Sequence, residues 1–217
     1  MFVVKAVLVF LAAYLLGSLN TSLVVGRLYG MDIRQHGSGN AGMTNTLRTL
    51  GKLPALFVIV GDVLKGVLAC IIGYYILKDT ISTTGYGNIT GPSNTGLLIG
   101  GLGAIIGHNW PVYFGFKGGK GILTTFAVIM TVSPRIGLIL LLIFLVIVAI
   151  TRYVSLGSII GSAMFPVLSA VFGKGPIFVV FAAIVAIMAI ARHHSNIGRL
   201  VKGTESKLGQ KKEKGIA

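Results

Sequence analysis

The sequence predicts an all-α integral membrane protein with about seven transmembrane helices, some short or broken, and glycine-rich loops gathered on one face of the membrane. Three observations predict it. Hydrophobic residues make up 54% of the 217-residue chain and charged residues only 11%, against roughly 25% in a soluble domain. That is too little polar side chain to cover a globule in water. The apolar residues fall in runs of spanning length, and the basic residues collect in alternate loops. A soluble enzyme, a disordered chain and a secreted disulfide scaffold are thereby excluded. The single cysteine, Cys70, lies inside an apolar run and offers neither a disulfide nor a Cys-based zinc site.

A crossing needs about 20 mostly apolar residues to traverse ~30 Å of hydrocarbon. Runs at 3–25, 53–77, 96–113, 122–133, 136–151, 156–172 and 176–191 are the candidates. The first has the outline of a signal peptide, Lys5 ahead of Ala6–Leu16. It lacks a small-x-small cleavage site and turns apolar again at Leu23–Val25, so it reads as a retained span. The fourth would reach only about 18 Å at 1.5 Å per residue. It is a half-helix, or half of a broken span with 136–151, the turn falling at Ser133-Pro134. Gly96 with Gly100 and Gly103 with Gly107 recur at i, i+4, the spacing that lets helices approach closely. Asp62 and Lys65, at i, i+3 inside the second run, share a face and neutralise each other; a structural and a functional role are both open. There is no internal repeat of the kind that builds inverted transporter halves. Residues 1–202 read as one polytopic domain, and 203–217 as a basic tail without fixed structure.

Lys and Arg number 19 against 5 Asp and Glu, a net charge of +14. Alternating the loops puts 14 of the 19 on one side: Arg27, Arg34, Arg48, Lys52, Lys117, Lys120, Arg152 and the tail from Arg192 to Lys214. The other side holds Lys5, Lys78, Arg135, Lys174 and the polar loop Thr80–Thr95. This bias places the first side in the cytoplasm. Seven spans then leave the N-terminus outside and the C-terminus inside. No stacking aromatics interleave with the basic residues, so nucleic acid is not a partner; anionic lipid is.

Residues with catalytic potential sit in four clusters, all on the predicted cytoplasmic side: Arg34–Arg48, Gly107–Gly121, Arg152–Ser158 and Arg192–Arg199. Gly37-Ser-Gly-Asn-Ala-Gly42 spells G-x-G-x-x-G, yet a membrane helix rather than a strand precedes it, so a dinucleotide site is excluded. No Walker A motif occurs. The glycines still permit a substrate-binding anion nest of backbone N–H groups, Gly37 and Gly39 among them, with Ser38, Asn40, Thr44 and Asn45 adding uncharged donors. Arg48 adds a planar fork suited to phosphate. The second cluster repeats the recipe, with Lys117 and Lys120 around Gly118 and Gly119 ahead of a helix start. His108 at the membrane edge is placed to exchange protons. His193, His194 and Asn196 close a span end. Histidines without a nearby carboxylate make a poor zinc site, so no metal is expected. Asp32 is the one acid near the clusters in sequence.

Taken together, the clusters resemble the acyl-phosphate:glycerol-3-phosphate acyltransferase family of bacterial cell membranes (PlsY). The matching stretches are Asp32-Ile-Arg, GSGNAGMTN and LRTLG within 37–51, GDVLKG at 61–66, GHNWPVYFGFKGGKG at 107–121, TRYVSLGSI at 151–159 and RHHSNIGRL at 192–200. They follow in family order and at family spacing, from about residue 13 to 209. Departures are Leu19-Asn20 for Ile-Pro, Ala41 and Met43 for Ile and Ala, and Ser195 where an acid is common. They touch loop lining rather than donors and bear on kinetics and selectivity.

The resemblance implies a seven-helix enzyme of the bacterial cytoplasmic membrane. It would move a fatty acyl group from acyl phosphate to the 1-hydroxyl of sn-glycerol 3-phosphate, giving lysophosphatidic acid for phospholipid synthesis, without cofactor. Coupling to the enzyme that makes acyl phosphate would follow. On this reading Arg48, Lys120, His193 and Asn196 take the glycerol phosphate. Ser38, Asn40 and the Gly37–Gly42 loop hold the acyl phosphate and its oxyanion, and Ser155 and Ser158 shape the pocket. The base is His108 or a substrate phosphate oxygen. Glycerolipid acyltransferases that use acyl-CoA carry H-x-x-x-x-D, and the residues five beyond His36, His108, His193 and His194 are Ala41, Tyr113, Gly198 and Arg199. A transporter of organic phosphate would show polar residues on both faces, and the outer loops offer little beyond Lys78, Asp79 and Asn88.

Overall fold

The computed structural model describes residues 1–78 and 92–210, of 92–94 the backbone alone. The expected outer loop through Asp79 and Asn88, and the tail from 211, lie outside the described residues. Among these residues there is no strand. The helices are α1 (Phe2–Ser18), α2 (Thr21–Leu28), α3 (Met43–Thr49), α4 (Lys52–Leu77), α5 (Pro92–Asn109), α6 (Ile122–Val132), α7 (Pro134–Thr151), α8 (Val154–Val171), α9 (Pro176–Arg192) and α10 (His194–Val201).

Five helical stretches are long and apolar enough to cross a membrane: Phe2–Leu28, Lys52–Leu77, Thr95–Phe114, Pro134–Thr151 and Val154–Val171. The pair α9–α10, bent by 58°, makes a sixth if counted as one span. Helix α6 has 11 residues and rises only ~16 Å. Ser133-Pro134 breaks it from α7 at the expected place, since proline fits the first helical turn and restricts the residue before it.

Two boundaries differ from the sequence reading. The first run is not one helix: it breaks at Leu19-Asn20, and the Asn20 side chain caps α2 by accepting from the Leu23 N–H at 3.2 Å. The third run ends as α-helix at Asn109, because Pro111 has no N–H to continue the ladder; a 3₁₀ turn, Val112–Phe114, follows.

Helix α5 lies between α1 and α4, held by the small residues the sequence singled out. A Cβ at Gly107 would land on the Tyr14 carbonyl, and one at Gly100 on the Ala69 carbonyl. In lipid, where apolar burial between helices gains little, such backbone contact supplies the packing energy. A second core joins α5 to α9 through Ile105, Val128, Ile136, Phe165, Phe178 and Val185. There Phe165 meets Phe178 and Phe181 edge-on, with centroids 6.0 and 6.2 Å apart. The outward faces stay apolar: Leu138, Leu142 and Leu145 of α7 and Val4, Leu8 and Leu11 of α1 are exposed. That is the surface a bilayer solvates.

Candidate active site

One cavity of about 320 Å³ draws lining residues from all four sequence clusters. Most of its polar lining comes from loops and helix ends, among them Ser38, Asn40, Arg48, His108, Lys120, His193, Asn196 and Glu205, with Asp62 contributed from the middle of α4. Its apolar lining comes from the middles of helices: Phe126 and Ile129 of α6, Leu140 and Phe144 of α7, Phe165 of α8 and Val185 of α9. Residues as far apart in sequence as Ser38 and Glu205 therefore converge on a single amphipathic chamber.

The first loop is braced from beneath by Asn45. This residue is fully buried; its Oδ1 accepts from the Ser38 N–H at 2.7 Å, and its Nδ2 donates to the carbonyls of Ile33 and His36 at 3.0 Å each. The amide is thereby spent on holding the loop, and Asn45 itself also lines the cavity. Gly37 and Gly39 have φ of 61° and 72°, where a side chain is strained. They form the turn and do not line the cavity. The Ser38, Gly39 and Gly42 N–H groups bond within the loop region, so the open nest shrinks to fewer donors than expected. Ser38, Asn40 and Thr44 do line the cavity.

Two arginines absent from the sequence-derived site fix the second loop. Arg34 grips Asp32 through Nε and Nη2, at 2.9 and 2.7 Å, and donates Nη1 to the carbonyls of Phe114 and Lys117 at 3.1 Å. The Arg34 guanidinium, after offsetting the effect of burial, holds the Asp32 carboxyl below its usual range. Arg192 donates Nη2 to the Gly118 and Gly119 carbonyls at 3.0 and 2.8 Å and lies over the Trp110 ring. The Gly118 and Gly119 N–H groups bond to the carbonyls of Asn109 and His108. Neither glycine is therefore an anion donor, a second correction. Lys117 points outward and contributes its carbonyl, not its ammonium. Lys120 does line the cavity, between Arg48, Arg192 and Arg199. Burial, reinforced by those three cations and opposed by Glu205, pushes its ammonium down to about 8.

Beneath this loop lies the buried pair foreseen in the second span. Lys65 Nζ is 2.7 Å from Asp62 Oδ1, 3.2 Å from the Leu19 carbonyl and 3.0 Å from His108 Nδ1. Three protons meet three acceptors, so a charged Lys65 makes Nδ1 of His108 an acceptor and leaves its proton on Nε2. Nε2 faces Gly119, where a Cβ would collide with it. The His108 ring thus supports the second loop from beneath and lines the cavity.

At the other wall, His193 donates Nδ1–H to the Ala189 carbonyl at 2.7 Å, which leaves Nε2 as an acceptor. Asn196 turns its Oδ1 onto the Lys120 ammonium. Ser158 donates to the Val154 carbonyl of its own helix at 2.9 Å and shapes the wall. Ser155 donates instead to Glu205, a residue the sequence assigned to the tail. That tail is ordered through 210: Glu205 is 9% exposed, Arg48 holds the Ser206 carbonyl and Arg152 holds the Leu208 carbonyl. Among the described residues, the acids near the site are therefore Asp62 and Glu205 as well as Asp32. No cluster of three or more metal-ligating side chains occurs among the described residues.

Comparison with known proteins places this geometry. The family model described as glycerol-3-phosphate acyltransferase matches residues 7–203. A glycerol-3-phosphate acyltransferase of Thermoanaerobacter sp. (strain X514) is 47% identical over 209 residues, covering 96% of this chain and 98% of the relative. Those of Halalkalibacterium halodurans and Clostridioides difficile are 43% and 42% identical, each over 95% of this chain and 97% of the relative. The crystal structure of PlsY (YgiH), an integral membrane glycerol 3-phosphate acyltransferase, in its glycerol 3-phosphate form superposes with a TM-score of 0.82 at 36% identity. That match covers 94% of this chain and 96% of the other; the lysophosphatidic acid form gives 0.79 at 35% identity. With a model match over nearly its whole length and relatives this similar, the chain belongs to the glycerol-3-phosphate acyltransferase family.

Proposed function

We infer that the protein transfers a fatty acyl group from acyl phosphate to the 1-hydroxyl of sn-glycerol 3-phosphate, releasing phosphate and 1-acyl-glycerol 3-phosphate. The observation that carries this reading is the continuity of one cavity from Arg48, Lys120 and Asn196 to Phe126, Ile129 and Phe165. A substrate that is phosphate at one end and hydrocarbon at the other matches both linings.

Lys120 and Arg48 bind the phosphate of the glycerol substrate, with Asn196 holding Lys120 in place. Nε2 of His193 accepts from the glycerol hydroxyl and orients it. The acyl chain lies along α6, α7 and α8, and Ser38 and Asn40 face the acyl phosphate head. The hydroxyl oxygen attacks the acyl carbon, the bond from that carbon to the phosphate oxygen breaks, and phosphate departs carrying the hydroxyl proton. The His108 Nε2–H stabilises the oxyanion formed on the way. A mixed anhydride has a good leaving group, so positioning and charge stabilisation are the main demands on the protein.

The basic bias of the loops supports a cytoplasmic site in a bacterial cell membrane, with the N-terminus outside and the C-terminus inside. A lipid-soluble donor delivered within that membrane supports coupling to the enzyme that makes it. Lipid-reconstituted protein given labelled glycerol 3-phosphate with palmitoyl phosphate, or with palmitoyl-CoA, tests the reading. Labelled lysophosphatidic acid is expected from the acyl phosphate alone.

A further inference from the structure

The segment that follows α10 returns over the polar mouth of the cavity. Its first anchor is Glu205, which accepts from Ser155 Oγ and Asn196 Nδ2 at 2.7 Å each, and from Arg199 Nε at 2.6 Å. Further anchors are Arg48 to the Ser206 carbonyl at 3.3 Å and Arg152 to the Leu208 carbonyl at 2.8 Å. A carboxylate at 9% exposure, in contact with α8 and α10 at once, is a built feature and not a frayed end.

We propose that Glu205 is a positioning residue of the phosphate site: by accepting hydrogen bonds from both Ser155 and Asn196, it fixes the Asn196 amide so that Oδ1 faces Lys120. The proposal rests on the assignment of Lys120 to glycerol phosphate. An amide has two faces, and which one meets Lys120 decides whether that contact attracts or repels an ammonium. With Nδ2 committed to a carboxylate, only Oδ1 is left for the lysine. The flipped amide would set two donors against a cation and leave Glu205 without one of its three partners.

The same carboxylate balances charge. Lys120 faces Arg48 from α3, Arg192 and His193 from the end of α9 and Arg199 from α10, and among the described residues Glu205 is the anion that opposes them there. Burial opposes ionisation of Glu205, but the bonds from Asn196, Ser155 and Arg199 outweigh it and hold the carboxyl below its ordinary range. It therefore stays charged throughout the range in which Lys120 titrates. Removing that charge lowers the pH at which Lys120 loses its proton.

The test is full-length, lipid-reconstituted Glu205→Gln, assayed for KM of both substrates and for kcat/KM against pH. The expected result is a KM for glycerol 3-phosphate raised about tenfold, a smaller change for acyl phosphate, and an alkaline limb displaced to lower pH. In an Asn196→Ala background the same substitution should cost far less, because the amide it orders is gone; a merely structural strap would cost the same in both. Glu205→Asp, which keeps the charge, should restore the alkaline limb. Unchanged KM and pH profile in folded Glu205→Gln would overturn the proposal. So would a lowered KM, which would mark the carboxylate as a competitor of the phosphate. Should Glu205→Gln not fold, Ser155→Ala removes one of its contacts, and an unmoved KM there would equally overturn it. Loss of glycerol 3-phosphate turnover in the unmodified protein, or a KM indifferent to Lys120→Met, would instead overturn the underlying site assignment.

Discussion

Lys65 Nζ stands 3.0 Å from His108 Nδ1 while its remaining protons meet Asp62 and the Leu19 carbonyl. One intramembrane lysine thereby joins the break after α1 to α4 and α5, and sets the tautomer of the histidine beneath the second loop. Removing the lysine leaves Asp62 charged and unpaired in the interior. Lys65→Met should cost about 3–5 kcal/mol of stability, read as a lowered unfolding temperature in detergent. Lys65→Met combined with Asp62→Asn should recover a substantial part, since the uncompensated charge is then gone.

Lys120 supplies a pH dependence whose sign is fixed by its depressed value. The ammonium is charged below about 8 and neutral above it. A phosphate monoester is already dianionic by then, its second pKa being near 6. The kcat/KM for glycerol 3-phosphate should therefore fall as pH rises through about 8. Lys120→Arg, charged over the whole range, should lose activity through geometry but flatten that limb. A limb that persists unchanged in Lys120→Arg would show that another group titrates.

The pair Asp62 and Lys65 was legible in the sequence because both lie on one helix, where three-residue spacing alone brings side chains together. The glycines of α5 and the Ser133-Pro134 turn were legible for the same local reason. Glu205 was not. Its neighbours in sequence are polar and glycine-bearing, a composition that reads as a tail, and its burial depends on Ser155, 50 residues upstream. The importance of Asn45 was legible but its role was not, because composition shows a donor-rich loop and only the fold shows which donors turn inward. Lys117 and Lys120 look equivalent three residues apart, yet Arg34 and Arg192 pin the loop so that only the second faces the cavity. Near the break at Leu19-Asn20 the sequence offers Gly17, which the structure uses for close packing on Ala104; the break itself is made by the Asn20 cap.

Asn45 tests the first loop. Asn45→Ala removes three hydrogen bonds and leaves the Ile33 and His36 carbonyls without the amide that pairs them. The expected loss is about 1–3 kcal/mol, with a rise in KM for both substrates. Asn45→Asp, equal in size, keeps no donor for those carbonyls and should recover little. Thermal unfolding and initial rates check both.

Chain-length preference is carried by the apolar end of the cavity. Gly161 lines it, and a Cβ there would meet nothing within 4 Å. It lies on α8 between Ser158 at the polar end and Phe165 at the core. Gly161→Leu should fill that space without unfolding the helix, and lower kcat/KM for palmitoyl phosphate more than for an eight-carbon acyl phosphate. Equal losses for both donors would place the chain elsewhere.

The identity of the acyl donor decides the reaction most directly. Lipid-reconstituted protein would be mixed with labelled glycerol 3-phosphate and palmitoyl phosphate, with palmitoyl-CoA in a parallel reaction, and the products separated as lipids. Labelled lysophosphatidic acid from palmitoyl phosphate alone is the predicted result, with Lys120→Met raising the glycerol 3-phosphate KM in the same assay. Product from palmitoyl-CoA alone, or none from folded protein with either donor, would contradict it.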